Sequence, residues 1–313
     1  MELSSLINSF KEKGFVNIGS APLSSKELDE LVQLSVGVAK RLNADHPHLT
    51  KIGSLAEVVQ CLPQHHPRIS ELLDSIFVNP DIQLVLRSVL GPDYKIWQIN
   101  FRRAMPGDRG LYLHQDSPGE FGLVILASES KDGEGATIFL PGSHLVPKTM
   151  KDWKIEMPPY LLMKIRNLFT SLIGQVGDIA FFFNRTWHGR CSNSSNSSND
   201  CIMMSFYPAG ASLSGDDGWS TEFLSEIEGT ELGRLIDPSI GTKQQGDGRF
   251  KILPKDASNV EIPYALAIEK PQAQEPCLDN FRLRATILFI QAIIGILRPV
   301  MPLAHWLRVT LGK

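Results

Sequence analysis

His114, Asp116 and His188 constrain this chain more than any other residues, because donors from two distant segments must be delivered to one point. The first two occupy LYLHQDSPGEFGLVI, where positions i and i+2 of a strand share a face. The third closes GDIAFFFNRTWHGR, whose aromatic and aliphatic run reads as a buried strand entering a turn. Two imidazole nitrogens and one carboxylate oxygen form the facial donor set of non-haem Fe(II), which leaves the other coordination positions open for a co-substrate and dioxygen. His-x-Asp alone occurs by chance in many chains, so the surrounding pattern has to carry the reading.

That pattern is helical at first and then β-rich. Leu3, Leu6, Ile7 and Phe10 recur at helical spacing, and Leu23-Ser24-Ser25-Lys26-Glu27 opens a second helix with a serine cap before the stripe Leu28, Leu31, Val32 and Leu34. From Ile96 onward, short apolar or alternating runs are broken by Pro106-Gly107, Gly133, Gly135, Pro141-Gly142 and Gly177-Asp178, which predicts a closed or sandwiched antiparallel sheet. Residues 148–173 read as a helical insertion, and the polar run SNSSNSSND at 192–200 as a mobile surface loop.

In WQINFRRAMPG, alternation places Gln98, Asn100 and Arg102 on one face and Trp97, Ile99, Phe101 and Arg103 on the other. The polar row fits either the wall of a wet cavity or an edge strand facing solvent. His144, in the turn PGSH, fits structural hydrogen bonding, since a fourth histidine ligand would occupy a position the facial site needs. His65 and His66, between Pro63 and Pro67, read as a surface turn.

The succession HQD, GATIFLPGSHL, Gly177-Asp178 and Trp187-His188-Gly189 resembles the phytanoyl-CoA dioxygenase family of Fe(II)/2-oxoglutarate oxygenases. FKEKGFVNIGSAPLSSKELDELVQL and LLDSIFVNPDIQLVLRSVLGPDY are similar to that family's opening segments, so the resemblance covers about residues 6–210. It implies a mainly β fold with flanking helices, a double-stranded β-helix of the jelly-roll, cupin-like kind. A single such domain over residues 1–280 is expected. It further implies Fe(II) held by His114, Asp116 and His188, with 2-oxoglutarate as co-substrate and dioxygen as oxidant. Hydroxylation of a small organic or lipid-linked substrate is the expected outcome. Gln98, Asn100 and Arg102 would then line the 2-oxoglutarate pocket.

One feature departs from the family pattern. An arginine some ten residues beyond the distal histidine usually pairs with the far carboxylate of 2-oxoglutarate. Here Ser197, Ser198, Asn199 and Asp200 stand there. Arg190 and Arg102 are the replacement candidates. The departure keeps open an alternative, a double-stranded β-helix that binds metal or ligand without catalysis or without 2-oxoglutarate.

Composition bounds the partners. A formal charge of −3 and a pI of about 6.3 argue against an electrostatic grip on nucleic acid. Cys61, Cys191, Cys201 and Cys277 lack CxxC spacing, and the N-terminus lacks a secretory pattern, so a reducing cytoplasm is the expected setting. A Cys191–Cys201 bridge would need an oxidising one. Residues 281–313 carry an apolar core, Ala285 to Leu297, flanked by Arg282, Arg284, Arg298, Trp306 and Arg308. That core is shorter than the roughly 20 residues needed to span a bilayer. A peripheral helix in a membrane interface and a helix packed on the protein or between subunits both fit; oligomeric state is not legible.

Overall fold

The computed structural model describes residues 3–45, 56–116, 120–145, 169–208 and 219–236. The chain starts with α1 (Leu3–Lys13), β1 (Phe15–Ser20) and α2 (Ser25–Asp45). After β2 (Ala56–Val59) come α3 (Pro67–Phe77) and α4 (Pro80–Leu90), then the long strand β3 (Lys95–Ala104). The strands β4 (Leu111–His114), β5 (Phe121–Leu126), β6 (Thr137–Phe139), β7 (Thr170–Ser171), β8 (Asp178–Phe183), β9 (His188–Arg190) and β10 (Asn199–Tyr207) follow, with α5 (Thr221–Glu226) and α6 (Glu231–Leu235) behind them.

Local chemistry sets the helix starts. Ser24 Oγ accepts from Glu27 N and Glu27 Oε2 accepts from Ser24 N at 2.9 Å, a reciprocal capping box that opens α2. Asn79 caps α4 by accepting from the amides of Asp81 and Ile82, with Pro80 in the first turn. His66 caps α3 by accepting from Arg68 N, and His65 Nε2 lies 3.1 Å from Gln60 O, so the expected surface turn is in fact a helix start.

Among the described residues the strands form two antiparallel sheets, a large one in the order β1-β8-β5-β10-β3-β2 and a small one in the order β4-β9-β6-β7. Period-two alternation sorts the large sheet into two faces. Ile99, Phe101, Leu123, Ile125, Phe181, Ile202 and Met204 join Phe10, Leu31, Leu73 and Leu86 of the helices in one core. Val124, Leu126, Ala180 and Phe182 on the opposite face pack on Phe139 and Leu172 of the small sheet side. This is the expected mainly β, jelly-roll architecture with helices covering one face.

Four local expectations change. In β3 the register shifts between the pairs Gln98↔Ser205 and Ile96↔Phe206, a bulge that leaves Trp97 without a ladder partner. Ile96, not Trp97, therefore joins Ile99 and Phe101 in the helix-side core. The edge-strand reading of the polar row fails as well, because β3 lies between β10 and β2. Residues 192–198 form a pinned turn. Asn193 is buried, its Nδ2 donates to the carbonyls of Ala104 and Ser197 at 2.8 Å, and its Oδ1 accepts from Ser195 N. Asparagine makes its own backbone hydrogen bonds, so a polar run need not be a loose one. Asn199 and Asp200 already belong to β10.

Of the helical insertion, residues 148–168 lie outside the described residues, and Thr170–Ser171 is a strand paired with β6. The tail, 281–313, also lies outside them. Among the described residues no helix is long and apolar enough to cross a membrane. Cys191 and Cys201 are free thiols, so the bridge between them does not form.

Candidate metal centre

The small sheet brings the two histidines together as cross-strand neighbours, His114 on β4 opposite His188 on β9, with ring centroids 4.3 Å apart. Asp116 follows β4 directly. Its amide donates to Asn184 O at 2.9 Å, and the Gln115 side chain donates to Arg185 O, so the HQD segment is stitched to the chain that leads into His188. Asp116 Oδ1 then lies 3.5 Å from His114 Nε2, and Oδ2 lies 3.2 Å from His188 Nε2. The ligand atoms of all three residues fall within 4.8 Å of one another.

His188 is oriented from behind. Its Nδ1 lies 2.8 Å from the carbonyl oxygen of Thr186, which can only accept, so Nδ1 carries a proton and the ring is held with Nε2 facing Asp116. Phe182 and Phe139 pack around the ring at centroid distances of 5.1 and 6.4 Å. Burial alone would raise the Asp116 carboxyl. The hydrogen bond with His188 and the charges of His188, His114 and Arg102 outweigh that and hold it well below the usual carboxylate range. A divalent cation between the two imidazole nitrogens and the carboxylate would take the place of the proton that Nε2 shares with Asp116. The donor set therefore fits a divalent metal, with the mix of nitrogen and oxygen suited to Fe(II).

The remaining predicted residues fall on the inner face of β3 and on β9. Gln98 Nε2 donates to Ser205 Oγ at 3.1 Å, Asn100 Nδ2 donates to Gln98 Oε1 at 2.8 Å, and Asn100 Oδ1 accepts from Cys61 N. Arg102 continues the row, opposite Cys201 in β10. Burial lowers its pKa, the Cys201 thiol and the Asp116 carboxylate oppose that, and Arg190 adds to it. Its buried Nε has no hydrogen-bond partner among the described residues. Arg190 Nη2 donates to Oδ2 of the fully buried Asp108 at 2.5 Å, while Asp108 Oδ1 accepts from Gly110 N. His144 stays structural. It is fully buried, lies 2.9 Å from Lys11 O through Nε2, stacks on Phe183, and burial pushes it down to about 4.

The sequence reading missed Asp108, Glu120 and Thr186. Glu120 is buried and accepts from Trp97 Nε1 at 3.1 Å. In the sequence Asp108 and Glu120 stand beside glycines, where polar residues draw no attention, and Thr186 acts through its main chain, which leaves no side-chain signal.

Residues 10–201 match the family model described as phytanoyl-CoA dioxygenase. The chain belongs to that family. A relative from Aspergillus fumigatus, dioxygenase af480, is 24% identical over 195 residues, which is 58% of this chain and 60% of the relative. The chain thus spans less than two thirds of that relative's length. Among solved structures, the non-heme alpha ketoglutarate dependent carbocyclase SnoK from nogalamycin biosynthesis matches with a TM-score of 0.54 and 16% identity, covering 66% of this chain and 84% of that one. AviO1 from Streptomyces viridochromogenes matches at 0.51 and 17%, covering 67% and 97%. At these identities the likeness is one of fold, and it agrees with the two-sheet architecture.

Proposed function

We propose that this protein is an Fe(II)- and 2-oxoglutarate-dependent oxygenase that hydroxylates a small organic substrate. The observation that carries the reading is the convergence of His114 Nε2, a carboxylate oxygen of Asp116 and His188 Nε2, with the other nitrogen of His188 committed to Thr186 O. His114, Asp116 and His188 would hold the metal, and membership of the phytanoyl-CoA dioxygenase family supports Fe(II) in that place. Iron with 2-oxoglutarate supplies activation of dioxygen and oxidation of carbon. The protein's own residues bind, orient and shelter. The Asp116 carboxylate stays charged, as a metal ligand must. Phe182 and Phe139 keep the His188 side dry, and the half-exposed Asp116 marks the side from which ligands enter.

The test is an anaerobic titration of the iron-loaded protein with 2-oxoglutarate, followed by its visible charge-transfer band. An intact iron site without the band would favour the second reading, a metal-binding β-helix that does not use 2-oxoglutarate. One observation favours that reading: the β10 positions where the family's arginine is expected hold Asn199, whose Nδ2 donates to Ser130 Oγ, and Asp200, which pairs with Arg103.

Two further parts of the reading rest on residue pattern alone. A cytoplasmic protein with its β-helix domain over residues 1–280 and a basic, aromatic-flanked tail would touch membrane through residues 281–313, which would suit a lipid-linked substrate. Flotation with anionic liposomes checks this, and a chain that stays at the bottom of the gradient removes the membrane part.

A further inference from the structure

Two guanidinium groups share the inner side of the fold, Arg102 on β3 and Arg190 on β9, near enough for the charge of Arg190 to oppose that of Arg102. Their surroundings differ. Arg190 is answered by Asp108, whose side chain is fully buried and takes a second hydrogen bond from Gly110 N. Removing that guanidinium would leave a buried carboxylate uncompensated, so Arg190 is committed to the fold. Arg102 faces a thiol across the ladder, Cys201; its buried Nε, like that of Arg190, meets no acceptor among the described residues, but Arg102 has no counterpart of Asp108 there. Asp116 and, more weakly, the buried Glu120 attract it, yet Asp116 is one of the three converging metal donors and Glu120 accepts from Trp97 Nε1. A buried donor without an acceptor destabilises the fold unless a ligand completes it.

We infer that Arg102 binds the far carboxylate of the co-substrate, reaching the pocket from β3 rather than β10, while Arg190 stays with Asp108. The inference rests on the 2-oxoglutarate reading above and deepens it. Register supports the substitution of one strand for the other. Arg102 pairs with Cys201, and Asn199 pairs with Ala104, so on the same face Arg102 stands one ladder step from position 199. Gln98 and Asn100, bonded to Ser205, to each other and to Cys61 N, brace the strand on the other side of Arg102. A keto acid chelating a metal at His114, Asp116 and His188 would extend its second carboxylate toward a cation on this face, and a guanidinium can take it in a two-point bond.

The experiment compares two acids. Wild type, Arg102→Met, Arg102→Lys and Arg190→Met, each loaded with Fe(II) without oxygen, are titrated with 2-oxoglutarate and with 2-oxovalerate, which keeps the keto acid but lacks the far carboxylate. Binding is read from the charge-transfer band and, with Zn(II) in place of iron, by calorimetry. Arg102→Met is expected to weaken 2-oxoglutarate by about 10- to 100-fold while leaving 2-oxovalerate unchanged, which also reports an intact fold. Arg102→Lys, the safer variant for folding, should fall between. If Arg102→Met and Arg102→Lys distinguish the two acids as well as wild type does, or if Arg190→Met alone loses the distinction, the assignment is overturned. Wild type that holds iron and takes up neither acid overturns the oxygenase reading itself, and this inference with it.

Discussion

The two histidines of the centre live in unlike surroundings. His188 has a side chain 8% exposed, sits on a strand with neighbours on both sides, and has its ring fixed by Thr186 O and two phenylalanines. His114 is 20% exposed and Asp116 36%, and they sit at the end of a strand at the border of the small sheet. One half of the site is therefore built before any ligand arrives, and the other half can adjust. Such a division suits a centre that must hold a metal tightly and still admit two further ligands.

The sharpest way to break the comparison is to remove each donor. His114→Ala, Asp116→Ala and His188→Ala should each weaken Fe(II) by more than about 100-fold in a metal-competition assay, beyond the 10- to 100-fold typical of outer-shell losses. Only His188→Ala should also melt earlier, by the equivalent of about 2 kcal/mol, because it alone empties a packed space. Equal melting temperatures for His114→Ala and His188→Ala would erase the distinction.

Next in size is the Asp108–Arg190 pair, which holds the two sides together at the far end of the β4–β9 ladder. Asp108→Asn should cost about 3 kcal/mol in denaturant unfolding, as expected for a broken buried pair. A loss below about 1 kcal/mol would mean that the pair does not secure this ladder.

His144 gives a pH test of comparable size. Its folded pKa, about 4, is below the ordinary 6.5, so the unfolded chain binds the proton first. Stability from this group is full above pH 6.5 and falls as pH drops from 6.5 to about 4, by up to about 3 kcal/mol. His144→Gln should flatten the slope in that window. An unchanged slope would locate the pH dependence elsewhere.

Gly122 should give the smallest effect. A β-carbon there would come within 2.2 Å of Phe182 Cε1, and the displaced ring would press on His188. Gly122→Ala should cost about 1–3 kcal/mol and weaken metal binding several-fold, both relieved by Phe182→Leu. Loss of stability with unaltered metal affinity would uncouple the aromatic packing from the His188 side.

The donors and most strands were legible because alternation and glycine punctuation survive in a single sequence. Leu123 and Val124, or Phe181 and Phe182, go to opposite faces as their order dictates. The bulge at Trp97 was not legible, since an extra residue leaves the apolar count unchanged while moving everything before it to the other face. The tight turn at 192–198 was hidden by composition, because Asn193 holds it through main-chain hydrogen bonds. Asp108 was hidden by context: a carboxylate between Gly107 and Arg109 reads as turn surface until the sheet places Arg190 over it.

The pairing of His114 with His188 across β4 and β9 gives a bound ion a mechanical part to play. β4 is short, and its ladder to β9 is irregular between Leu111 and His114. An ion gripped by both strands and by Asp116 would act as a cross-link where the hydrogen-bond ladder is thin, adding free energy to the folded state in proportion to the logarithm of metal concentration over its dissociation constant. Scarcity of metal would then loosen the border strand first, so that the chain's susceptibility to proteolysis near residues 111–116 becomes a gauge of the metal supply.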